Sequence, residues 1–183
     1  MNKAVFLISL ASLMFGGVAG AENKYMPYVG ADVSYHEAKT RFSHQHYGGM
    51  FVNLGTTYNK YFGTEIFYNQ TLKDTKKIGA NDKYKTSYRA YGLDAIASMP
   101  LCSKFDLTAS LGLGSYVFGE KKTGLTHASD EGVGYRFGAG GVYHLTSRVD
   151  IRANVRYVKI DHVSNLKHLS EYVLGARYFF GKE

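Results

Sequence analysis

Seven charged residues share one side of an alternating pattern that runs through most of the chain: Asp32, Glu65, Asp94, Arg136, Arg152, Arg156 and Arg177. Six of them stand between two apolar neighbours, as in Ala31-Asp32-Val33, Leu93-Asp94-Ala95 and Val155-Arg156-Tyr157, and Glu65 lies between Thr64 and Ile66. Successive side chains of a strand point to opposite faces, so this spacing gathers acids and bases on one face and leaves the other apolar. Three carboxylates and four guanidiniums on a common face can neutralise one another. The expected chemistry is an ion-pair network between Glu65 and the arginines, and a gated ion path is the alternative.

Other polar groups suggest other chemistry. His162-Val163-Ser164-Asn165 offers a base and a hydroxyl, and Glu171 could orient the imidazole. A serine activated in that way hydrolyses esters. However, His162 and Ser164 continue the charged parity of the preceding segment and lie beyond Tyr157 in a polar connection, so no catalytic residue is assigned. His36, His44, His46 and His162 could meet at one rim, but a closed metal site needs four convergent ligands and no carboxylate cluster accompanies them. They read as surface histidines, with no metal and no cofactor. The only cysteine, Cys102, excludes an internal disulfide and a cysteine-based zinc site, and is expected to be a free thiol in a tight turn.

A third group is basic. Residues 73–85 carry Lys73, Lys76, Lys77, Lys83 and Lys85 against two aspartates, and Lys39, Arg41, Lys121 and Lys122 fall in other polar connections. The formal charge of the chain is +7. Such loops attract lipopolysaccharide phosphate, or a sulfated or otherwise anionic host surface, by the same electrostatics. Nucleic acid is not expected, for want of a reading helix or an RNP-type sheet motif.

These residues must be positioned by strands. The chain of 183 residues has 16 Tyr, 11 Phe and 21 Gly but only 2 Pro and no Trp, a mixture that favours strands over long helices. Period-two alternation marks eight segments: Tyr28–His36, Tyr47–Tyr58, Phe62–Leu72, Tyr84–Met99, Phe105–Phe118, Gly132–Leu145, Val149–Ile160 and Ser170–Phe180. The connections alternate between short (59–61, 100–104, 146–148) and long and polar (37–46, 73–83, 119–131, 161–169). Before them, residues 1–21 present a lysine, an apolar run from Ala4 to Phe15 and Ala19-Gly20-Ala21, which predicts a secretory signal cleaved after Ala21. Residues 22–183 form one domain on this reading.

An even number of strands with alternating short and long connections fits an all-β, antiparallel up-and-down transmembrane barrel with both termini on the periplasmic side. In a soluble barrel the apolar face would turn inward; here the face shared by the charges and many glycines suits a narrow lumen, and the Leu, Val, Ala, Phe and Tyr face suits lipid. A secreted β-sandwich is the alternative, because parity alone does not say which face meets lipid. Tyr58, Tyr61, Phe62, Phe105, Tyr143, Tyr178 and Phe180 at the turn side, and Tyr35, Tyr47, Tyr68, Tyr135, Tyr157 and Tyr172 at the loop side, would make two interfacial girdles.

The signal segment, Tyr61-Phe62-Gly63-Thr64-Glu65, Leu111-Gly112-Leu113-Gly114, residues 135–140 (YRFGAG), residues 152–157 (RANVRY) and residues 174–180 (LGARYFF) resemble, in order and spacing, the small eight-stranded outer-membrane β-barrel family. That family includes the OmpA transmembrane domain, OmpX, Ail and the opacity-type surface proteins. The resemblance covers the mature chain. It implies a monomeric, non-enzymatic barrel in the outer membrane of a Gram-negative bacterium, inserted by the barrel assembly machinery, with interior salt bridges that hold the lumen closed. Its surface loops would contact lipopolysaccharide or a host ligand. A small porin and a lipid A deacylase-like hydrolase carrying His162 and Ser164 are the alternative functions.

Overall fold

The computed structural model describes residues 25–40, 44–72, 74–77, 83–122, 128–161 and 166–180. Among them are nine strands: β1 (Met26–Thr40), β2 (His44–Thr57), β3 (Phe62–Thr71), β4 (Asp74–Lys77), β5 (Lys83–Cys102), β6 (Phe105–Lys122), β7 (Ala128–His144), β8 (Val149–Asp161) and β9 (Leu166–Phe179). Neighbours run β3-β2-β1-β9-β8-β7-β6-β5-β4, and β3 also pairs with β5, which closes the sheet. The short β4 is not a further stave; it follows β3 and pairs with residues 83–86 of β5. The wall is therefore an eight-stave antiparallel barrel, up and down, with no free edge.

The register fixes the barrel's shape. Direct partners lead from Phe62 through Ala97, Ala109, Ala139, Val155, Tyr172, Tyr35 and Gly48 back to Leu72, ten residues along the stave where the path began. With a rise of about 3.3 Å per residue and about 4.7 Å between strands, that stagger tilts the strands by about 41° and sets a backbone radius of about 8 Å. Such an interior has room for side chains and little else.

Parity decides what enters it. Val33, Leu54, Leu111, Leu113, Phe137, Val155 and Leu174 point outward and are exposed, while the alternate residues are buried or half-buried. Tyr61, Phe62, Phe105, Tyr143, Tyr178 and Phe180 stand exposed toward the turns, and Tyr35, Tyr68, Tyr135, Tyr157 and Tyr172 toward the other end. Tyr47 is the one expected girdle residue whose side chain lies outside the described set. Side-chain oxygens form two of the turns: Asn59 Oδ1 accepts from the amides of Tyr61 and Phe62, both at 2.8 Å, and Thr146 Oγ1 accepts from Arg148 at 3.2 Å and Val149 at 3.0 Å.

The long polar connections are shorter than their composition suggests. β1 and β2 run on to Thr40 and His44, β6 and β7 to Lys122 and Ala128, and β8 and β9 to Asp161 and Leu166. Polarity there marks the end of the apolar band and not the end of pairing. Backbone ladders continue into water at no loss, because each N–H still finds its cross-strand carbonyl.

Candidate functional site

The lumen holds the chemistry-bearing residues, and Arg152 sits at its middle. Its Nε and Nη2 donate to Asp32 at 2.9 and 2.5 Å, and its Nη1 and Nη2 donate to Glu65 at 2.6 and 3.2 Å. One guanidinium thus clamps carboxylates from β1 and β3, strands that are not adjacent in the wall. Asn53 donates to Asp32 at 2.8 Å, and the Tyr28 hydroxyl donates to Glu65 at 2.9 Å. Arg156 approaches Glu65 at 3.9 Å and lies over the Phe51 ring. Arg136 spans Asp94 and Glu171, at 3.4 Å each, with its guanidinium 3.6 Å from the centre of the Phe67 ring. All these charged groups are buried.

Glycines make the space. Gly112 lies in register between Asp94 and Arg136, and Gly175 between Asp32 and Arg152. A Cβ at either position would overlap the neighbouring aspartate oxygen. The wall gives up side-chain volume where its neighbours lay large ionic groups across it.

Toward the long connections the lumen is a conventional core. Phe51, Phe67, Tyr88, Ala90, Tyr116, Val158, Ile160, Leu169 and Val173 form one buried cluster. This corrects the expectation of an interior made of charges and glycines. The same parity that places Arg152 and Arg156 inside also places Val158 and Ile160 inside, so the signal was available. His36 is corrected too: it is fully buried in this region and not at a surface rim. Its Nε2 is 2.7 Å from Ser34 Oγ, and its Nδ1 is 2.5 Å from the Tyr88 hydroxyl and 3.7 Å from Glu171. Ser34, His36 and Glu171 have the residue types of an esterase triad, but Gly49 packs on them so closely that even a Cβ there would crowd Ser34 Oγ and His36 Nε2. A substrate carbonyl has no place in that space.

Toward the turns the lumen opens. Arg177 donates to Asp150 at 3.1 Å, and His144 stands between two carboxylates, with Nδ1 2.8 Å from Asp150 and Nε2 3.2 Å from Asp106. These residues line a cavity of about 360 Å³ with Tyr28, Phe179 and Cys102. Among the described residues no group of His, Cys, Asp and Glu is arranged to hold a metal ion. Cys102 is a free, exposed thiol.

Of the seven charged residues singled out in the sequence, six form the central belt, and Arg177 instead pairs with Asp150 below it. Asp150, Asp106 and His144 escaped sequence reading because they sit beside the turns, where alternation is too short to show a face. Glu171 faces Arg136 and His36, inside the lumen. His162 and Ser164 lie outside the described residues, as do Arg41, Lys73 and the signal segment. Of Lys39, His44, Lys76, Lys77, Lys83, Lys85, Lys121 and Lys122 the backbone alone is described, on the strand extensions; His46 is exposed and its Nδ1 is 2.8 Å from the Tyr35 hydroxyl.

Known proteins share this architecture. Neisserial surface protein A is 19% identical, with 84% of this chain and 97% of that one covered at a TM-score of 0.71. The attachment invasion locus protein Ail of Yersinia pestis, solved in complex with the heparin analogue sucrose octasulfate, is 18% identical over 87% of this chain and 100% of its own, at a TM-score of 0.61. The N-terminal barrel domain of Pseudomonas aeruginosa OprF is 12% identical over 82% and 97%, at 0.56. At these identities the likeness is one of fold. A search of curated protein sequences gave no match. A family model described as outer membrane protein beta-barrel domain matches residues 6–180. With the closed eight-stave wall, its lipid-type outer face and its filled lumen, that match makes the chain a member of the outer membrane β-barrel family, a protein of the bacterial outer membrane.

Proposed function

We propose that the protein is a non-enzymatic surface barrel whose loop end contacts anionic groups: lipopolysaccharide phosphate beside it, or sulfated glycan on a host. The lumen carries this reading. Arg152 and its carboxylates cross the middle and the aromatic cluster fills the space beyond, so the loop-side half of the lumen offers neither a substrate site nor a wide path, and the cavity of about 360 Å³ lies on the turn side of the ion pairs. What is left to act is the outer rim, where the strand extensions carry Lys39, Lys76, Lys77, Lys83, Lys85, Lys121 and Lys122 at one end of the staves, and Arg41 and Lys73 belong to the same connections in the sequence. Ail, of like fold, was solved with a sulfated ligand, which supports the same ligand chemistry here. Residues 1–21 direct export, the barrel assembly machinery inserts the monomer, and the short turns face the periplasm. The central ion pairs serve as a plug.

The test is binding of heparin fragments to the barrel in nanodiscs. Replacing Lys76, Lys77, Lys121 and Lys122 by alanine should weaken binding at least tenfold, and raised salt should weaken the wild type in the same way. Salt-independent binding, or none, would refute the reading. A narrow porin would show steady conductance in planar bilayers, and a lipid hydrolase would change lipid A mass on overexpression.

A further inference from the structure

The outer wall of a small barrel is convex, yet this one has a depression of about 480 Å³. It lies across β7, β8, β9 and β1. Ala139 and Ala153 contribute only methyl groups, and Val155, Tyr172, Tyr35 and Leu174 stand around them. All six are exposed on the outward parity. Ala139, Val155, Tyr172 and Tyr35 are successive register partners, so the depression follows one row of the sheet for about three strand spacings, roughly 14 Å. Because the strands tilt, the row climbs toward the loop end as it passes from β7 to β1.

A polar cluster lies next above it on the same two central staves. Tyr157 follows Val155 on the outer face of β8, and His168 stacks on its ring at 5.2 Å between centres. Val158 pairs with Leu169, which places Lys159 and His168 one step further along neighbouring strands. Lys159 points outward, pairs in register with Tyr135, and has no carboxylate in an ion pair among the described residues; Asp161 is the next outward residue on its strand. A lysine at an aromatic girdle turns its ammonium to the headgroup level while its stem stays on apolar surface.

We propose that this wall is a site for one phosphorylated lipid of the outer leaflet, of the lipid A type, with an acyl chain in the depression and a phosphate on Lys159 and His168. A second barrel is the poorer occupant. A wall of about 8 Å radius offers little area to a like convex wall, and a stable pair needs about 1,000 Å². The site is separate from the lysine-bearing loop end and rests on the preceding section only for its orientation, loops outward.

Native mass spectrometry of the full mature barrel in mild detergent tests it, with diphosphorylated lipid A and phosphatidylcholine as competing probes. The expected result is a single lipid A adduct, favoured at least tenfold over phosphatidylcholine. Ala153→Phe should fill the depression and abolish the adduct; Ala139→Leu, a milder change, should weaken it severalfold should the first variant fold poorly. Lys159→Gln should remove the preference and leave phosphatidylcholine binding unchanged. Equal retention of both lipids by the wild type, an adduct that survives both alanine variants, or a dimer in its place would overturn the proposal. Replacing Lys76, Lys77, Lys121 and Lys122 should leave the adduct intact, and a wild type that keeps the adduct but binds no heparin would count against the loop reading alone.

Discussion

Glu65→Gln isolates the central clamp. The substitution keeps the volume and exchanges a carboxylate for an amide that brings donors of its own. Glu65 is 0% exposed and accepts from Arg152 at 2.6 and 3.2 Å and from Tyr28 at 2.9 Å, with Arg156 at 3.9 Å. Removing one partner of a buried pair costs about 3–5 kcal/mol. Arg152 keeps both bonds to Asp32, so its charge stays compensated, whereas Arg156 loses its only ion-pair partner among the described residues. A loss of about 2–4 kcal/mol is expected, near the lower end of that range because one arginine remains paired. Glu171→Gln is the internal control. Its partners are at 3.4 and 3.7 Å, and Arg136 retains Asp94, so about 1–2 kcal/mol is expected. Urea unfolding in lipid vesicles, followed by far-ultraviolet circular dichroism because the chain has no Trp, gives both values. Equal midpoints for Glu65→Gln and wild type would mean that the lumen charges are solvated and that the clamp contributes nothing to stability.

The face assignment is tested by Leu111→Arg, which places a charge on the lipid side near mid-wall and should cost about 2–4 kcal/mol in the same vesicles, while Ser110→Arg, on the lumen side, meets no lipid. Folding of Leu111→Arg as efficient as wild type would contradict it. Gly112→Ala should destabilise by about 1–3 kcal/mol, because its methyl overlaps Asp94 and approaches the Leu93 carbonyl at 2.7 Å. Gly48→Ala, whose nearest neighbour would be Leu72 at 3.7 Å, should stay within about 0.5 kcal/mol of wild type. The orientation is tested by Cys102, exposed beside the turns. A membrane-impermeant maleimide should label it only after the outer membrane is breached, and labelling of intact cells would invert the topology.

Alternation made the wall legible. Seven of the eight staves could be placed because one parity is apolar over five or more residues, as in Leu107, Ala109, Leu111 and Leu113, while the stave from Phe62 shows it only at Ile66 and Tyr68. The seven charges could be assigned to the lumen for the same reason, but their pairing could not, since Arg152 reaches Asp32 and Glu65 across the barrel and no local spacing encodes a transverse contact. The buried Phe51, Phe67 and Tyr88 were hidden because an aromatic residue on either parity reads as apolar wall. His36 was misread for a related reason. Its environment is supplied by Tyr88 and Glu171, far away in the chain.

The continuation of pairing beyond the aromatic girdle has a bearing on what another molecule can recognise. From Tyr91 the β5–β6 pair extends to Tyr84 and Lys122, seven residues further, which at the strand tilt raises it roughly 17 Å along the barrel axis. Cross-strand pairing holds backbone positions from different parts of the sequence at set spacings on one collar. A receptor or antibody that grips this collar reads a composite of neighbouring strands, so a linear peptide copied from any one connection would present only a fragment of the epitope. Substitutions at the tips can alter that epitope without disturbing the register below, which is anchored by the belt around Arg152.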